Sequence, residues 1–562
     1  MRGWKGTLYD IPVCSHHITL AYQSIERISM KHPHPTTGVW LTMFFIMTFF
    51  CSASALSDGY VLTAAYGGTT TALIDSTGSI VKEWNHATLT NRLNGYSCYL
   101  LPNGNLLRSA QTNTFRLPMN ANPTQGAIDE VDKDGKVVWT YTLANDSLML
   151  HHDMKPILSG KDSGNILAVT FYSIPKTRVK TFGIDTTLLT TGMNTFLGEK
   201  IIEIKPKLPS GGDIIWEWSI FDHITPKDSA SFHPERISGG IVPTLWQGQW
   251  VHLNGIDYCP ETKLIVFTSR IFNELFVLDH STTTQEAKGH TGGTHGKGGD
   301  ILYRWGKPGN YGAGGGITLD CLHSPTWIPE GHDRACNIMF FHNNMNVAKS
   351  EVIEIKPPYD NNGKFICETG KTFGPVEPAW KYAPTSGFYS KVMSTAIRMP
   401  NGNTMIHESY PTDTFWQDGA RPQTNSRLRE VNAQGQILWI DTLTLKGMTG
   451  FNPAKIMWYT STYVGVRKLL NLPPVAIRSN HTGNRLHLSQ IHIRRTAGSI
   501  VFSGVDGCTI DFVSVQGKTI LSMSPHSAVA RIKTDRMPAG IYYAKVTKGG
   551  REATVRMITI LK

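Results

Sequence analysis

Between about Asp58 and Tyr463 the chain runs through short stretches in which apolar and polar residues alternate, broken by clusters of turn residues. Alternation with a period of two gives each stretch one apolar and one polar face, which is the pattern of a half-buried strand. One unit recurs: a strand, a tight turn, and a second strand ending in Trp. It is plainest in Leu73–Trp84, Ile128–Trp139 and Leu428–Trp439, and looser in Ile202–Trp216, Phe276–Trp305 and Val352–Trp380. Asp-Gly, Asn-Gly and Gly-Gly-Asp between alternating stretches are hairpin turns, because they supply residues that tolerate positive φ. A second hairpin lies between these units. It is clearest at Pro102-Asn-Gly-Asn105 and Pro400-Asn-Gly-Asn403, with weaker copies over Ile157–Leu167, Tyr258–Ile265 and Ile328–Met339. Gly59–Thr63 is expected to complete a sixth across the ring. Two hairpins per repeat make four strands, and six such repeats predict an all-β fold, a six-bladed β-propeller over residues 56–465. An array of β-sandwiches would not need a Trp at the same place in each unit.

The pattern changes at both ends. Leu470-Asn-Leu-Pro-Pro474 and Asn480-His-Thr-Gly483 read as a linker over 466–487. From 488 to 562, short alternating stretches predict a separate small β-sandwich. Near the start, Gly38–Cys51 is an apolar run of fourteen residues, too short to span a bilayer comfortably. Lys31, His32 and His34 precede it and Ala53-Ser-Ala55 follows, which is the signal-peptide pattern over residues 30–55. Export to the periplasm, cell surface or medium is therefore expected, with a mature start near Leu56. Residues 1–29 fit no part of the pattern, so Met30 is the expected physical start.

Composition narrows the function. The chain has 562 residues, 40% hydrophobic and 17% charged, which is globular rather than disordered. Its net charge of +11 is scattered without a Lys/Arg run, which disfavours nucleic acid and leaves small anionic substrates open. The eight cysteines include no CxxC pair, so neither a zinc site nor a dense disulfide framework is indicated. Cys321 and Cys336 are close enough in sequence to pair in an exported chain, but spacing alone assigns no pairing.

The strands that enter the second hairpins carry the candidate chemistry. His152, His252 and His323 each stand eight residues before a turn, at Gly160, Pro260 and Gly331, and even spacing puts Pro156, Ile256 and Trp327 on their faces. Tyr96 and Ser394 occupy the same position in other copies. One such histidine is ordinarily structural, but three at matched radial positions converge on one axis. On the return strands Arg270 aligns with Asn343. An Arg there can clamp a tetrahedral anion through its planar fork, or pair with Glu274. Asn343 can assist it or serve as a turn residue. The Asn254 amide, on the His252 face, can bond an oxyanion or satisfy backbone. Asp153 can orient an imidazole or cap a turn. His342 and His407 fall outside the register and read as structural. The same-face neighbours Met154, Asn254 and Pro325 are poor metal ligands, so no metal is expected at this cluster. No nucleophile elbow or phosphate loop is present, and no cofactor is expected.

These residues resemble the bacterial arylsulfate sulfotransferase family. The matching segments are His151-His-Asp-Met154, Trp250-Val-His-Leu-Asn254, Leu278-Asp-His-Ser-Thr-Thr-Thr284, Gly289-His-Thr-Gly-Gly293, Gly299–Gly306, His323 with Trp327, and Pro400-Asn-Gly-Asn-Thr404. The resemblance implies sulfuryl transfer from an aryl sulfate ester to a phenol, without a nucleotide donor, through a transient sulfohistidine. It maps the nucleophile onto His323, proton handling onto His152 and His252, and the sulfuryl clamp onto Arg270 with Asn254. This chain departs from the family at Ser324-Pro325, where relatives usually carry Asp after the histidine. A separate phrase, Ala539-Gly-Ile-Tyr-Tyr-Ala-Lys-Val546, resembles the terminal sorting domains of type IX secretion cargo and implies secretion machinery as a partner. The competing readings are an exported propeller that binds a glycan or sulfated ligand without chemistry, and an exported metal-dependent hydrolase.

Overall fold

The structure is a computed structural model that describes residues 57–473 and 492–560 apart from short internal stretches. The expected leader at 30–55, the segment before it and most of the linker lie outside the described residues.

The first sheet holds β1 (Gly59–Ala65), β2 (Thr70–Ile74) and β3 (Ile80–Asn85). The second is β4 (Asn94–Leu100), β5 (Leu106–Gln111), β6 (Gly126–Val131) and β7 (Val137–Thr142). The third is β8 (Leu148–Pro156), β9 (Ile166–Pro175), β10 (Thr195–Pro206) and β11 (Gly212–Ser219), with helix α1 (Lys176–Lys180) after β9. A short parallel pair follows, β12 (Ile224–Thr225) and β13 (Ile237–Ser238). The fourth sheet is β14 (Leu253–Cys259), β15 (Leu264–Ser269), β16 (Glu274–Asp279) and β17 (Tyr303–Trp305), with α2 (Thr284–Ala287) before β17. The fifth is β18 (Leu322–Trp327), β19 (Ile338–His342), β20 (Glu351–Ile355) and β21 (Trp380–Tyr382). The sixth is β22 (Thr395–Arg398), β23 (Thr404–Glu408), β24 (Asn425–Val431) and β25 (Ile437–Thr444). The chain then returns as β26 (Pro453–Thr460), which pairs antiparallel with β1 and becomes the fourth strand of the first sheet. Among the described residues these are six four-stranded blades. Their innermost strands touch in the order β26, β4, β8, β14, β18, β22 and back to β26, a closed ring.

Turn chemistry explains the blades. Asp75, Asp132 and Asn432 each accept two backbone N–H bonds through one side-chain oxygen, from the residues two and four positions on. This side-chain mimicry of a backbone turn fixes the outer hairpins, and Gly135 closes one of them at φ 90°. The repeated Trp residues all sit on outermost strands. Trp84, Trp139, Trp305 and Trp380 donate their indole N–H to the carbonyls of Asp132, Gly211, Pro375 and Ala433, each in the next blade, while Trp216 donates to the Thr282 hydroxyl. An indole buries a large apolar face while keeping one donor, so it seals adjacent blades and satisfies a carbonyl at once.

The innermost strands have no fifth strand to pair with, so their free edge groups must find other partners. Side chains of the neighbouring blade supply them. Asp153 accepts the N–H of Ile256 at 3.1 Å, and Asp257 accepts that of Trp327 at 2.7 Å. Asn254 donates to the Leu322 carbonyl at 2.6 Å and Ser324 to that of Ser394 at 2.7 Å. After helix α3 (Val464–Leu469), strands β27 (His492–Thr496) to β33 (Arg551–Ile560) form a three-stranded and a four-stranded sheet. Ile500 and Phe502 of the one share a core with Ile510, Phe512 and Val546 of the other, which makes a small sandwich. No helix among the described residues is long and apolar enough to cross a membrane.

Candidate active site

Each inner strand that carries or directly follows a candidate histidine is bulged beside it. Register shifts fall between Leu150 and Met154, between Leu253 and Gly255, and between His323 and Thr326. Simple alternation therefore does not extend from each histidine to the residue four positions on. His152 and His252 adopt φ of 46° and 58°, as does Ser324 at 49°. Such left-handed non-glycine residues cost energy and persist only where surroundings over-determine them. The surroundings do so here. The Glu199 carboxylate accepts the N–H groups of His252 and Leu253, the latter at 2.6 Å, Arg270 N–H donates to the His252 carbonyl at 3.1 Å, and Gln125 donates to the His152 carbonyl.

The kinks bring side chains together. The His152 and His252 rings lie 4.5 Å apart, and Tyr96 stands 5.2 Å from His152. His151 stacks on Phe171 and places its Nδ1 2.7 Å from Nδ1 of His152, so the two rings share one proton between them. His323, buried on β18, has its Nδ1 2.6 Å from Oδ1 of Asn343. The Asn343 amide is oriented: its Nδ2 donates to the carbonyls of Ser390 and Met393 at 2.7 and 3.1 Å. Its oxygen must then accept, so Nδ1 of His323 carries the proton and Nε2 carries the lone pair.

Electrostatics keep these rings neutral. Burial pushes His152 and His252 well below the ordinary histidine value, helped by the neighbouring histidines and by Arg270. His323 is held at about 3 by burial, with the Asn343 bond opposing and the Arg270 charge assisting. Arg270 is half-buried and also bonds the Cys321 thiol, which burial raises to about 11. The carboxylate considered as its alternative partner, Glu274, is held instead by Arg304 at 2.5 and 2.9 Å and by Asn310 at 2.8 Å.

Other expected roles fall differently. The Asn254 amide is engaged on both sides, donating to Leu322 and accepting from the Thr268 hydroxyl at 2.7 Å, which makes it a tie between blades. Asp153 turns away from His152 and bonds the N–H groups of Met154 and Ile256 and the Lys455 ammonium, the last at 2.8 Å. His342 is held between Glu351 and the Asp320 N–H, and His407 is buried on β23. Cys321 and Cys336 are free thiols, and Cys336 interacts with Cys259. Sequence reasoning missed Glu199, which lies on β10 beneath the His252 kink with its Oε2 3.7 Å from His151 Nε2. Burial raises its carboxyl to about 8.

Among solved structures the chain is similar to a protein from Lactobacillus plantarum, at 9% identity over 85% of this chain and 100% of that one, with a TM-score of 0.34. It is similar to the periplasmic gluconolactonase of Pseudomonas aeruginosa, at 9% identity over 90% and 100%, TM-score 0.34. It is also similar to the Dos1 propeller, at 10% identity over 90% and 93%, TM-score 0.27. No curated protein matches it. The family model described as Arylsulfotransferase (ASST) matches residues 68–449, a span that takes in His152, His252, His323, Arg270 and Asn343. Since that span is well over half of the sequence, the chain belongs to the arylsulfotransferase family.

Proposed function

We propose that the protein moves a sulfuryl group from an aryl sulfate ester to a phenolic acceptor through a sulfohistidine on His323, with no nucleotide donor. The observation that carries this reading is the His323–Asn343 pair, which leaves Nε2 as a neutral, buried nucleophile. In the first step the Nε2 lone pair attacks sulfur, the S–O(aryl) bond breaks, and its electron pair leaves on the phenolate. Positive charge develops on the imidazole, and the fixed Asn343 oxygen facing Nδ1–H stabilises it. In the second step the acceptor oxygen attacks the same sulfur and the N–S pair returns to His323. The phenolate released in the first step takes its proton from solvent; in the second step His252 and His152, with rings in contact, take the acceptor's proton and pass it to solvent. Arg270 offers its fork to the sulfuryl oxygens. Asn254 contributes by holding the inner strands together, and Asn343 by fixing the nucleophile.

The test is a donor-only incubation of the wild type and His323→Ala with an aryl sulfate, read by intact-protein mass. The wild type should accumulate one sulfuryl adduct that a phenol discharges. His323→Ala should form none and lose turnover by at least ~10³-fold, and His252→Ala should lose ~10²-fold. Acceptor-independent release with no adduct would overturn the reading, as would near-normal turnover in both variants.

A further inference from the structure

Three side chains outside the histidine pocket converge where the end of β11 meets the loop that precedes β17. His223 ends the 3-10 turn Ile220–His223, His290 lies in the loop after α2, and Asp300 stands just before β17. Nδ1 of His223 and Nδ1 of His290 each lie 2.8 Å from Oδ1 of Asp300, and the donor atoms all fall within 4.8 Å of one another. His223 and Asp300 are buried, while His290 is at the surface and offers an entry path.

The hydrogen bonds around His223 set which ring nitrogen faces the cluster. Its Nε2 stands 2.8 Å from the Ala287 carbonyl, which can only accept, so Nε2 carries N–H. In the neutral ring Nδ1 then holds a lone pair aimed at a carboxylate oxygen. Such a pair holds together around a cation, either a proton, which makes the ring an imidazolium, or a metal ion in the proton's place. A metal-bound histidine ordinarily donates its other N–H to a carbonyl or carboxylate, the arrangement His223 has. The ring is also braced. Trp218 stacks parallel to it at 5.7 Å and donates its indole N–H to Gly299, where a Cβ would come within 2.6 Å of His223 Nε2. Arg236 faces Oδ2, the second oxygen of Asp300, at 3.4 to 3.5 Å, which orients the carboxylate while competing for its charge.

We propose that His223, His290 and Asp300 form a binding site for a divalent transition metal, zinc by its donor set, with a fourth position open to water beside His290. Two imidazoles and one carboxylate suit tetrahedral zinc, whereas calcium and magnesium favour all-oxygen sites. Bonds of about 2.0–2.2 Å would set neighbouring donors roughly 3.3 Å apart, so both the His223–Asp300 and the His290–Asp300 pairs open by about half an ångström from 2.8 Å. The role is structural. Six of the eleven residues from Gly289 to Gly299 are glycine, so this loop has few side chains to bury, and the ion ties it to the end of β11.

The test uses the full-length protein stripped with a chelator and titrated with zinc alone, followed by equilibrium dialysis, elemental analysis and Tm. One zinc per chain should bind saturably and raise Tm. His290→Ala, at the surface, and Asp300→Asn should each weaken uptake by at least ~10-fold. Cobalt substitution should give four-coordinate absorption bands that His290→Ala abolishes. Absence of saturable uptake by the wild type, or affinity unchanged in His290→Ala, would overturn the site.

Discussion

His323 is depressed to about 3 and remains a free base down to that value, so the pH profile of kcat/KM should not fall through the ordinary histidine range near 6.5. An acid limb centred near 6.5 in initial rates would contradict this. Stability should respond in the opposite way. His151, His152, His252 and His323 are all lowered in the fold, so the unfolded chain takes up protons that the folded one refuses. Their contribution is complete above 6.5 and is lost as pH falls below it, which a Tm series from pH 7 to 4 would display. Glu199 has the opposite sign. Its carboxyl is raised from 4.5 to about 8, so what its protonation adds is present below 4.5 and lost as pH rises through 8. Glu199→Gln should therefore gain in Tm relative to the wild type between pH 5 and pH 9, and a constant difference would refute the assignment. The three histidines could be found in the sequence because one offset to a turn repeats. Glu199 could not, since no spacing links the third strand of one blade to the kinked backbone of the next.

Four blades share a contact between strands that spacing did not reveal. Asn105, Asn165, Asn337 and Asn403, each just ahead of a second strand, donate to Glu130, Glu203, Glu354 and Glu430 on the third, at 2.6 to 2.7 Å. Each bond ties the two hairpins of its blade at the end where the turns lie. Asn165→Ala removes one partner of the buried Glu203 and should destabilise by about 1–3 kcal/mol, measured by denaturant unfolding. A change within error would mean that water or His280, 3.0 Å away, replaces it. The hairpins themselves were legible, because Asp-Gly and Asn-Gly specify turns locally and the Trp residues recur. The bulges were not, because a bulge is set by what the neighbouring blade demands of an inner edge. That is also why Asn254 and Asp153 serve the blade interface: on an edge strand, unsatisfied backbone claims the nearest amide or carboxylate.

Across the whole ring, Asp153 and Lys455 join blades that are not neighbours in sequence. Their ion pair of 2.8 Å is buried on both sides and links β8 to β26, with Tyr99 3.2 Å from the ammonium. Lys455→Met would strand a buried carboxylate and should cost roughly 3–5 kcal/mol, while Asp153→Asn added to it should recover part of the loss. Equal instability of the single and double variants would remove the pair from the closure. The pairing of Gly59 with Thr460 carries a kinetic consequence. The fourth strand of the first blade is synthesised on the order of 400 residues after the first, so its sheet is completed only after nearly the entire propeller exists. Loop-closure entropy falls on that last step, which makes ring closure a late and slow event. Once made, it converts six sheets into one cooperative body, and a protease or an unfoldase must then break the joint between the two ends before it can peel off any single blade.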